Sequence, residues 1–469
     1  MALTAAEQYL IELINRARLN PQAEAARYGL SLNADLDGTV ISGEALAPLS
    51  PNEQLETSAQ LHSEWMLTED EFAHTGVDDS SPGDRITDAG YDFTGAWAWR
   101  ENLAWTVTTS TVNMAAAIDE HHEGLYRSAG HRANTFAVNI KEIGVAQVAG
   151  TFTHDGTTYS SSMLTLNFAS SGTDVFVTGV AYKDDDGDGF YGINEGYSGV
   201  WVSVGDETGA TASAGGYGVS ATADDALSVV VGEGEASLAR LLVDASVSNV
   251  KIDIVTGADG VQYLATSSST TLVSGLTDAT LLGIADLDLT GNANDNALTG
   301  NDGNNALYGF AGDDDLSGGA GADTLMGGNG DDVLQGGTGR DASWGGLEST
   351  DDSDNADELM GESGNDELIG QSGSDVLNGG IGDDLLTGGG GRDTFVFTAG
   401  SDTVTDFADN VDTIDINAAT LELALTVEDV IAMGEIIGDD AVFDFGNGNV
   451  LTVEGATDIA SFANDLMII

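Results

Sequence analysis

The chain has 469 residues, of which 78 are acidic and 13 basic, so its formal net charge is −65. Such a charge repels nucleic acid phosphates and anionic lipid headgroups, which excludes polyanion binding. There is no cysteine and no run of about 18 apolar residues, so disulfides, thiolate metal sites and a membrane-spanning helix are excluded as well.

Residues 1–171 predict a mixed α/β domain. Thr4 and Glu7 form a capping box before a helix that we expect to run to Arg18. Residues 50–53 (Ser-Pro-Asn-Glu) predict a second capping box, with the proline at the first helical position. Strand-like runs close the domain.

Three segments of this domain carry the residues best suited to chemistry. They are Phe72-Ala-His74-Thr-Gly, Glu101-Asn-Leu-Ala and Gly130-His131-Arg-Ala-Asn. Two imidazoles and a carboxylate on separate elements could converge on one cleft, where they would bind a divalent cation or transfer a proton. Histidines that are hydrogen-bonded at the edge of a core would give the same pattern, so both interpretations stay open.

These segments, in this order, resemble the CAP superfamily in its cysteine-free bacterial branch. The resemblance implies a three-layer α-β-α sandwich with a large cleft lined by two histidines and two glutamates, and His74, Glu101 and His131 match three of the four. For the fourth we expect Glu123 or His122. The resemblance also implies a ligand such as a sterol, a lipid, a protein or a cation, with zinc as one candidate cation.

Residues 172–285 predict a small β-sandwich, because short runs rich in valine and threonine alternate with glycine. Asp184, Asp186, Asp188 and Glu195 fill positions one, three, five and twelve of a calcium-loop pattern. The flanks predict strands rather than the helices of an EF-hand, and the segment resembles the calcium-binding B-type repeats of bacterial surface adhesins. A solvated acidic hairpin without an ion is the alternative.

Residues 286–396 repeat with a period of nine. An apolar residue recurs in unbroken register from Leu298 to Leu334 and from Leu359 to Phe395, and an acid or amide stands two positions before each. A flexible linker needs no such register, whereas a parallel β-roll does, with glycines at the turns, aspartate oxygens for calcium and the apolar residue inside. Two nonapeptides should form one coil, and residues 347–355 should form a loop between two blocks of coils. The predicted calcium ligands are Asp314, Asp323, Asp332, Asp341, Asp357, Asp366, Asp375, Asp384 and Asp393.

This register, together with Asp393-Thr-Phe-Val-Phe and Thr405-Asp-Phe-Ala-Asp, resembles the RTX family of type I-secreted proteins. The resemblance implies that residues 397–469 form a capping segment and a C-terminal secretion signal, which agrees with a start that lacks a leader-like apolar run. We therefore expect export by type I secretion machinery, an extracellular or cell-surface location, and folding driven by calcium outside the cell.

Three functions stay open at this point. The first is a secreted calcium-binding protein whose cleft engages an unidentified small molecule, lipid or surface. The second is a hydrolase of peptides or peptidoglycan that uses a cation held by the cleft residues. The chain contains neither His-Glu-x-x-His nor Gly-x-Ser-x-Gly, which disfavours a conventional hydrolase. The third is a self-assembling surface-layer protein.

Overall fold

The computed structural model describes residues 3–346 and 356–469. Its contacts divide the chain into two compact units, one of Met1–Ser268 with Leu282–Ile284 and one of Ser269–Leu281 with Ala285–Ile469. The first unit contains both the mixed α/β domain and the β-sandwich. None of the helices in the described ranges combines the length and the apolar composition that a membrane crossing requires.

The N-terminal domain is a three-layer α-β-α sandwich, as predicted. Its sheet has the order β1-β3-β4-β2, in which only β1 and β3 are parallel. Leu10 and Ile118 pack against Leu164 on one face, and Met66 packs against Met163 on the other. The elements are α1 (Ala5–Leu19), α2 (Pro21–Arg27), β1 (Ser50–Pro51), α3 (Glu53–Glu69), α4 (Pro82–Asp88), β2 (Ala98–Thr108), α5 (Met114–Arg127), α6 (Ala129–Thr135), β3 (Glu142–His154) and β4 (Thr157–Ser170).

One helix start was predicted correctly and one was not. The capping box of α1 is present, with the Thr4 hydroxyl accepting from the Glu7 N–H at 3.3 Å. The capping box at residues 50–53 was wrong, because Ser50–Pro51 pair with β3 as a short strand. Asn52 caps α3 instead, and its side-chain oxygen accepts from two backbone N–H groups of the first turn at 3.0 Å each.

The β-sandwich consists of two four-stranded sheets with the orders β8-β5-β11-β12 and β7-β6-β9-β10. Only β5 and β11 pair in parallel. Along β6 the residues Val200, Val202 and Val204 are buried while the residues between them are half-buried, as expected of a strand with one face in a core. The strands are β5 (Val175–Lys183), β6 (Val200–Val204), β7 (Glu207–Ala210), β8 (Gly216–Ala221), β9 (Leu227–Glu233), β10 (Ala236–Val243), β11 (Val250–Thr256) and β12 (Gln262–Thr266).

The repeat region is a parallel β-roll, as predicted, and each strand pairs in parallel with the strand one coil further along. This stacking begins at Thr270, whereas the repeats predicted a start at residue 286. The strands are β13 (Thr270–Gly275), β14 (Asp278–Leu281), β15 (Asp288–Thr290), β16 (Ala297–Thr299), β17 (Ala306–Ala311), β18 (Asp315–Gly321), β19 (Thr324–Asn329), β20 (Val333–Gly339), β21 (Ala342–Gly346), β22 (Glu358–Ser363), β23 (Glu367–Gly373), β24 (Val376–Asn378), β25 (Ile381–Gly382), β26 (Leu385–Gly391), β27 (Thr394–Phe397), β28 (Ala399–Val404) and β29 (Thr413–Ile416).

The core of the roll is two stacks of single side chains. Leu316 pairs with Leu334 one coil further on, and both are fully buried, so two nonapeptides do form one coil. Ser343 takes a leucine's place between Leu325 and Leu368 and is buried as well. The loop predicted at residues 347–355 lies outside the described residues, and the coils on either side of it keep their register.

The C-terminal segment covers the end of the roll. It contains α7 (Val427–Met433), β30 (Gly434–Ile437), β31 (Asp440–Gly446), β32 (Asn449–Val453) and β33 (Leu466–Ile468). Strands β32 and β33 add in parallel to the last coil, and the buried rings of Phe443 and Phe462 pack edge to face over it. The stack of coils is thereby closed by an apolar cap, as repeat architectures require at their ends.

Candidate calcium sites and a histidine cleft

The predicted aspartates of the roll form two buried columns. In each column one carboxylate oxygen, Oδ1, accepts a hydrogen bond from the backbone N–H of the equivalent residue one coil earlier. Asp332 Oδ1 accepts from the Asp314 N–H at 2.9 Å, and Asp384 Oδ1 accepts from the Asp366 N–H at 2.9 Å. Across the predicted loop, Asp357 Oδ1 accepts from the Asp332 N–H at 2.8 Å. These bonds fix the orientation of each carboxylate.

In eight aspartates of these columns the second carboxylate oxygen, Oδ2, is buried and has no hydrogen-bond partner among the described residues. Except at Asp402, each of these oxygens lies against a glycine five positions earlier, where a methyl group would not fit. A Cβ on Gly327 would lie 2.3 Å from Asp332 Oδ2 and 2.7 Å from the Gly345 carbonyl oxygen. Calcium prefers such carboxylate and carbonyl oxygens, so the residues fit this ion. Within residues 3–346 and 356–469, the unpartnered Oδ2 atoms belong to Asp314, Asp323, Asp332, Asp341, Asp366, Asp375, Asp384 and Asp402.

Burial raises the pKa of these carboxyl groups, because it disfavours their charged form. Neighbouring aspartates add to the effect at Asp332 and Asp366. The pKa rises to about 8 for Asp332 and Asp402 and to about 7 for Asp366. It rises to about 6 for Asp314, Asp323, Asp375 and Asp393. A divalent cation beside the carboxylates would favour the charged form.

The direction of these pKa shifts predicts how the calcium-free chain responds to pH. The carboxyls titrate near 3.8 when unfolded and at about 6 to about 8 in the folded roll. The folded state therefore binds protons more tightly, so its stability is full below about pH 4 and is lost as the pH rises to about 8. We expect more strand circular dichroism at about pH 5 than at about pH 8 without calcium, and no difference in saturating calcium. Equal spectra at both pH values without calcium would contradict this.

The aspartate columns extend beyond the predicted ligands. Asp402 Oδ1 accepts from the Asp384 N–H at 3.2 Å, and Asp412 Oδ1 accepts from the Asp393 N–H at 3.0 Å. Asp402 stands nine positions after Asp393 and two before the buried Val404, so the nine-residue register itself could have found it. The glycines of the repeat are missing there, which is why the predicted register ended at Phe395.

The acidic loop between β5 and β6 gathers three of its four predicted ligands. Ligand oxygens of Asp184, Asp186 and Asp188 lie within 4.8 Å of one another, and no other part of the described chain forms such a group. The buried Asp184 carboxylate accepts from the Gly187 and Asp188 N–H groups at 2.9 and 3.1 Å. Glu195 is not in the group, because its two oxygens accept from backbone N–H groups at 3.2 and 2.5 Å.

In the N-terminal domain, His74 and Glu101 are brought together. His74 Nδ1 lies 2.8 Å from Glu101 Oε1, and Arg85 donates to Glu101 Oε2 at 2.6 Å. The His74 ring is 57% exposed while Glu101 is 1% exposed. Because an ionised carboxylate can only accept, His74 Nδ1 is the donor in this contact, and in a neutral ring Nε2 would keep its lone pair. The pair could thus accept a proton or a hydrogen bond from a ligand.

The asparagines of the two motifs position His131 beside this pair. Asn102 donates to the His131 carbonyl oxygen at 3.0 Å, and Asn134 donates to the Glu101 carbonyl oxygen at 3.1 Å. Helix α6 is thereby fixed to β2. Burial lowers the pKa of His131, and the nearby His74 lowers it further. The His131 ring therefore favours the neutral form, in which an imidazole nitrogen can accept a hydrogen bond.

The residues expected to complete the cleft lie elsewhere. His122 Nε2 lies 2.9 Å from Glu24 Oε1 of α2, in a buried contact on the other side of the sheet. Glu123 is exposed and accepts from Arg127 at 2.7 Å. The structure instead places Arg85 against Glu101, a role that no sequence motif indicated.

Two family models match the chain. The cysteine-rich secretory protein family, CAP, matches residues 11–159. The RTX calcium-binding nonapeptide repeat matches four times, at residues 290–325, 317–349, 351–386 and 369–404. The chain therefore carries a CAP domain and RTX repeats, as the two resemblances implied. No curated protein matches it.

Three solved structures show partial similarity. The extracellular lipase LipA from Serratia marcescens is 18% identical with a TM-score of 0.24, over 42% of this chain and 41% of the lipase. An outer surface protein from Borrelia burgdorferi is 17% identical with a TM-score of 0.21, over 27% of this chain and 80% of that protein. An extracellular SCP-domain protein from Bacillus anthracis str. Ames is 19% identical with a TM-score of 0.21, over 35% of this chain and 39% of that one. The chain thus spans less than half the length of the first and third.

Proposed function

Since the chain carries a CAP domain and RTX calcium-binding repeats, we propose that it is a secreted calcium-binding protein whose CAP domain engages an unidentified small molecule, lipid or surface. The observation that carries this is the row of buried, unpartnered carboxylate oxygens in the roll. Such oxygens are costly without a cation and are satisfied by one. Export through type I secretion machinery fits a roll that stays unfolded until it meets extracellular calcium.

In the roll, the aspartate columns would hold calcium together with backbone carbonyls of the neighbouring coil. The ion supplies positive charge between carboxylates that otherwise repel one another. The chain's own residues fix the geometry, since Oδ1 is held by a backbone N–H and the facing glycine leaves room at Oδ2. Asp402 joins the predicted ligands because its Oδ1 accepts from the Asp384 N–H and its buried Oδ2 has no partner among the described residues, although Phe397 stands where the repeat has a glycine.

The loop of the β-sandwich is proposed as a separate calcium site formed by Asp184, Asp186 and Asp188. Phe190 follows these ligands and contacts α1, with the Arg16 guanidinium 4.7 Å from the centre of its ring. An ion in the loop would therefore order a segment that packs on the CAP domain. This would stiffen the unit that presents the cleft.

Replacing Asp186 tests the loop site. We expect Asp186→Asn to raise the calcium concentration that protects residues 184–195 from hydrogen exchange by about tenfold, because one ligand charge is lost. Asp185→Asn is the matched control, since Asp185 is exposed, carries the same charge and lies outside the ligand group. Equal midpoints in the two variants would argue against an ion in this loop.

The cleft is proposed to bind rather than to catalyse, although the His74–Glu101 pair also suits a general base. The discriminating change is His74→Ala with His131→Ala in the calcium-loaded full chain. We expect no hydrolysis of casein or peptidoglycan by the parent chain. Turnover by the parent that falls by about 10²- to 10⁴-fold in the double variant would establish the hydrolase instead. His154→Ala, at an exposed histidine that pairs with Asp155, is the control.

A further inference from the structure

A pocket of about 330 Å³ lies in the CAP domain between α3, α4 and the short 3-10 turn Val77–Asp79. This volume falls within the range of small-molecule sites. Arg85 lines the pocket and also donates to Glu101, so the pocket borders the cleft. Its apolar lining is provided by Leu61, Trp65 and Val77.

Four polar side-chain atoms around this pocket are buried and have no hydrogen-bond partner in the part of the chain that the structure describes. Ser58 and His62 are each 1% exposed and Arg85 is 9% exposed. A buried polar group without a partner costs about 1–3 kcal/mol, and native proteins contain few of them. Several such unpartnered atoms around one cavity indicate that polar atoms of a ligand would form hydrogen bonds with them. The four atoms are Ser58 Oγ, His62 Nδ1, Ser80 Oγ and Arg85 Nε.

The hydrogen-bonding capacity of these atoms restricts the ligand. His62 Nε2 lies 2.9 Å from the Ala73 carbonyl oxygen, which can only accept, so Nε2 carries the hydrogen. Burial lowers the pKa of His62, so the ring is neutral and its Nδ1 is an acceptor. Arg85 Nε can only donate, while the two serine hydroxyls do either. The ligand must therefore offer both donors and acceptors, as hydroxyl groups do.

The charges around the pocket disfavour an anionic ligand. The Arg85 charge is balanced by Glu101 at 2.6 Å. Asp78 and Asp88 line the pocket and are exposed, so an anion would be repelled while further hydroxyl groups could donate to them. The apolar lining suits the C–H face of a ring. A neutral, polyhydroxylated ring meets all of these conditions.

We propose that this pocket binds a neutral sugar or a sugar-like polyol. The polar contacts come from the four unpartnered atoms, and the indole of Trp65 with the side chains of Leu61 and Val77 contacts the ring carbons. The site does not rest on the function proposed for the cleft, because its polar atoms are not those of the His74–Glu101 pair. It gives the CAP domain a second ligand surface.

The test uses saturation-transfer NMR on the calcium-loaded full chain, with glucose, galactose and N-acetylglucosamine as separate probes. We expect transfer to at least one sugar, with about 30-fold weaker binding in Ser58→Ala with Ser80→Ala, since two hydrogen bonds of about 1 kcal/mol each are lost. Neither hydroxyl bonds within the described protein, so the variant should melt at the same temperature or higher. Thr87→Ala is the control, because the Thr87 hydroxyl donates to the Gly83 carbonyl oxygen on the exposed side of α4.

Two results would overturn the proposal. One is no saturation transfer to any of the three sugars, and the other is unchanged affinity in the double serine variant. His74→Ala with His131→Ala should keep the sugar affinity of the parent chain. A loss of sugar binding there, with normal binding in the serine variant, would assign the sugar to the cleft instead.

Discussion

Withdrawal of calcium from the full chain is expected to abolish the parallel strands between β15 and β28 and to leave the CAP domain folded. The roll buries one apolar side chain per nine residues, which is too little apolar area to offset the ordering of those residues. Within each column, the aspartates of successive coils repel one another unless a cation lies between the coils. The CAP domain has neither weakness, since Leu10, Ile118 and Leu164 belong to a continuous core.

Hydrogen exchange measured by mass spectrometry localises the effect. In a calcium chelator at neutral pH, peptides from residues 297–404 should exchange as an unfolded chain, while peptides from β3 and β4 keep their protection. Millimolar calcium should restore the roll, because extracellular modules bind at about 10⁻⁴ to 10⁻³ M. Magnesium at the same concentration is the control and should not restore it, since that ion keeps its waters and demands octahedral geometry. Roll amides that stay protected in the chelator would refute the calcium requirement.

The roll could be predicted from the sequence because its structure has the same period as its sequence. Nine residues separate both the inward leucines and the aspartates, so the register of Leu316 on Leu334 follows once two repeats form a coil. The prediction stopped too early at Phe395. Beyond it, Asp402 and Val404 keep their places in the coil without the glycines that mark the repeat.

The cleft could be predicted only in part, because its contacts join residues distant in sequence. His74 and Glu101 lie in recognisable motifs. Arg85 lies outside them on α4, and only the fold brings its guanidinium to Glu101. Neighbouring positions on α5 also face different partners, since each residue of a helix is rotated by about 100° from the last. His121 Nε2 lies 2.9 Å from Ser162 Oγ of the sheet, while His122 contacts Glu24. Glu123, the other residue expected in the cleft, pairs with Arg127, so neither of the two completes the site.

The substitution Gly391→Ala, which adds one methyl group at the end of β26, is expected to separate this coil of the roll from the preceding one. Gly391 has φ +154°, and a Cβ there would lie 1.4 Å from the carbonyl oxygen of Gly373 in the preceding coil. That contact is between backbones, so no side-chain rotation relieves it. Gly391→Ala must therefore break the parallel pairing of β23 with β26. We expect it to cost at least about 1–3 kcal/mol, the scale of one strained residue.

The neighbouring glycine supplies the control for this change. A Cβ on Gly390 would meet nothing within 4 Å, so Gly390→Ala adds the same methyl group without a clash. Urea unfolding at saturating calcium should show a lower midpoint for Gly391→Ala. The midpoint of Gly390→Ala should be unchanged or slightly higher, because alanine lowers the conformational entropy of the unfolded chain. Equal midpoints would mean that the coils are not stacked as closely as the roll requires. The contrast thus tests the spacing of the coils that brings the aspartate and carbonyl oxygens together.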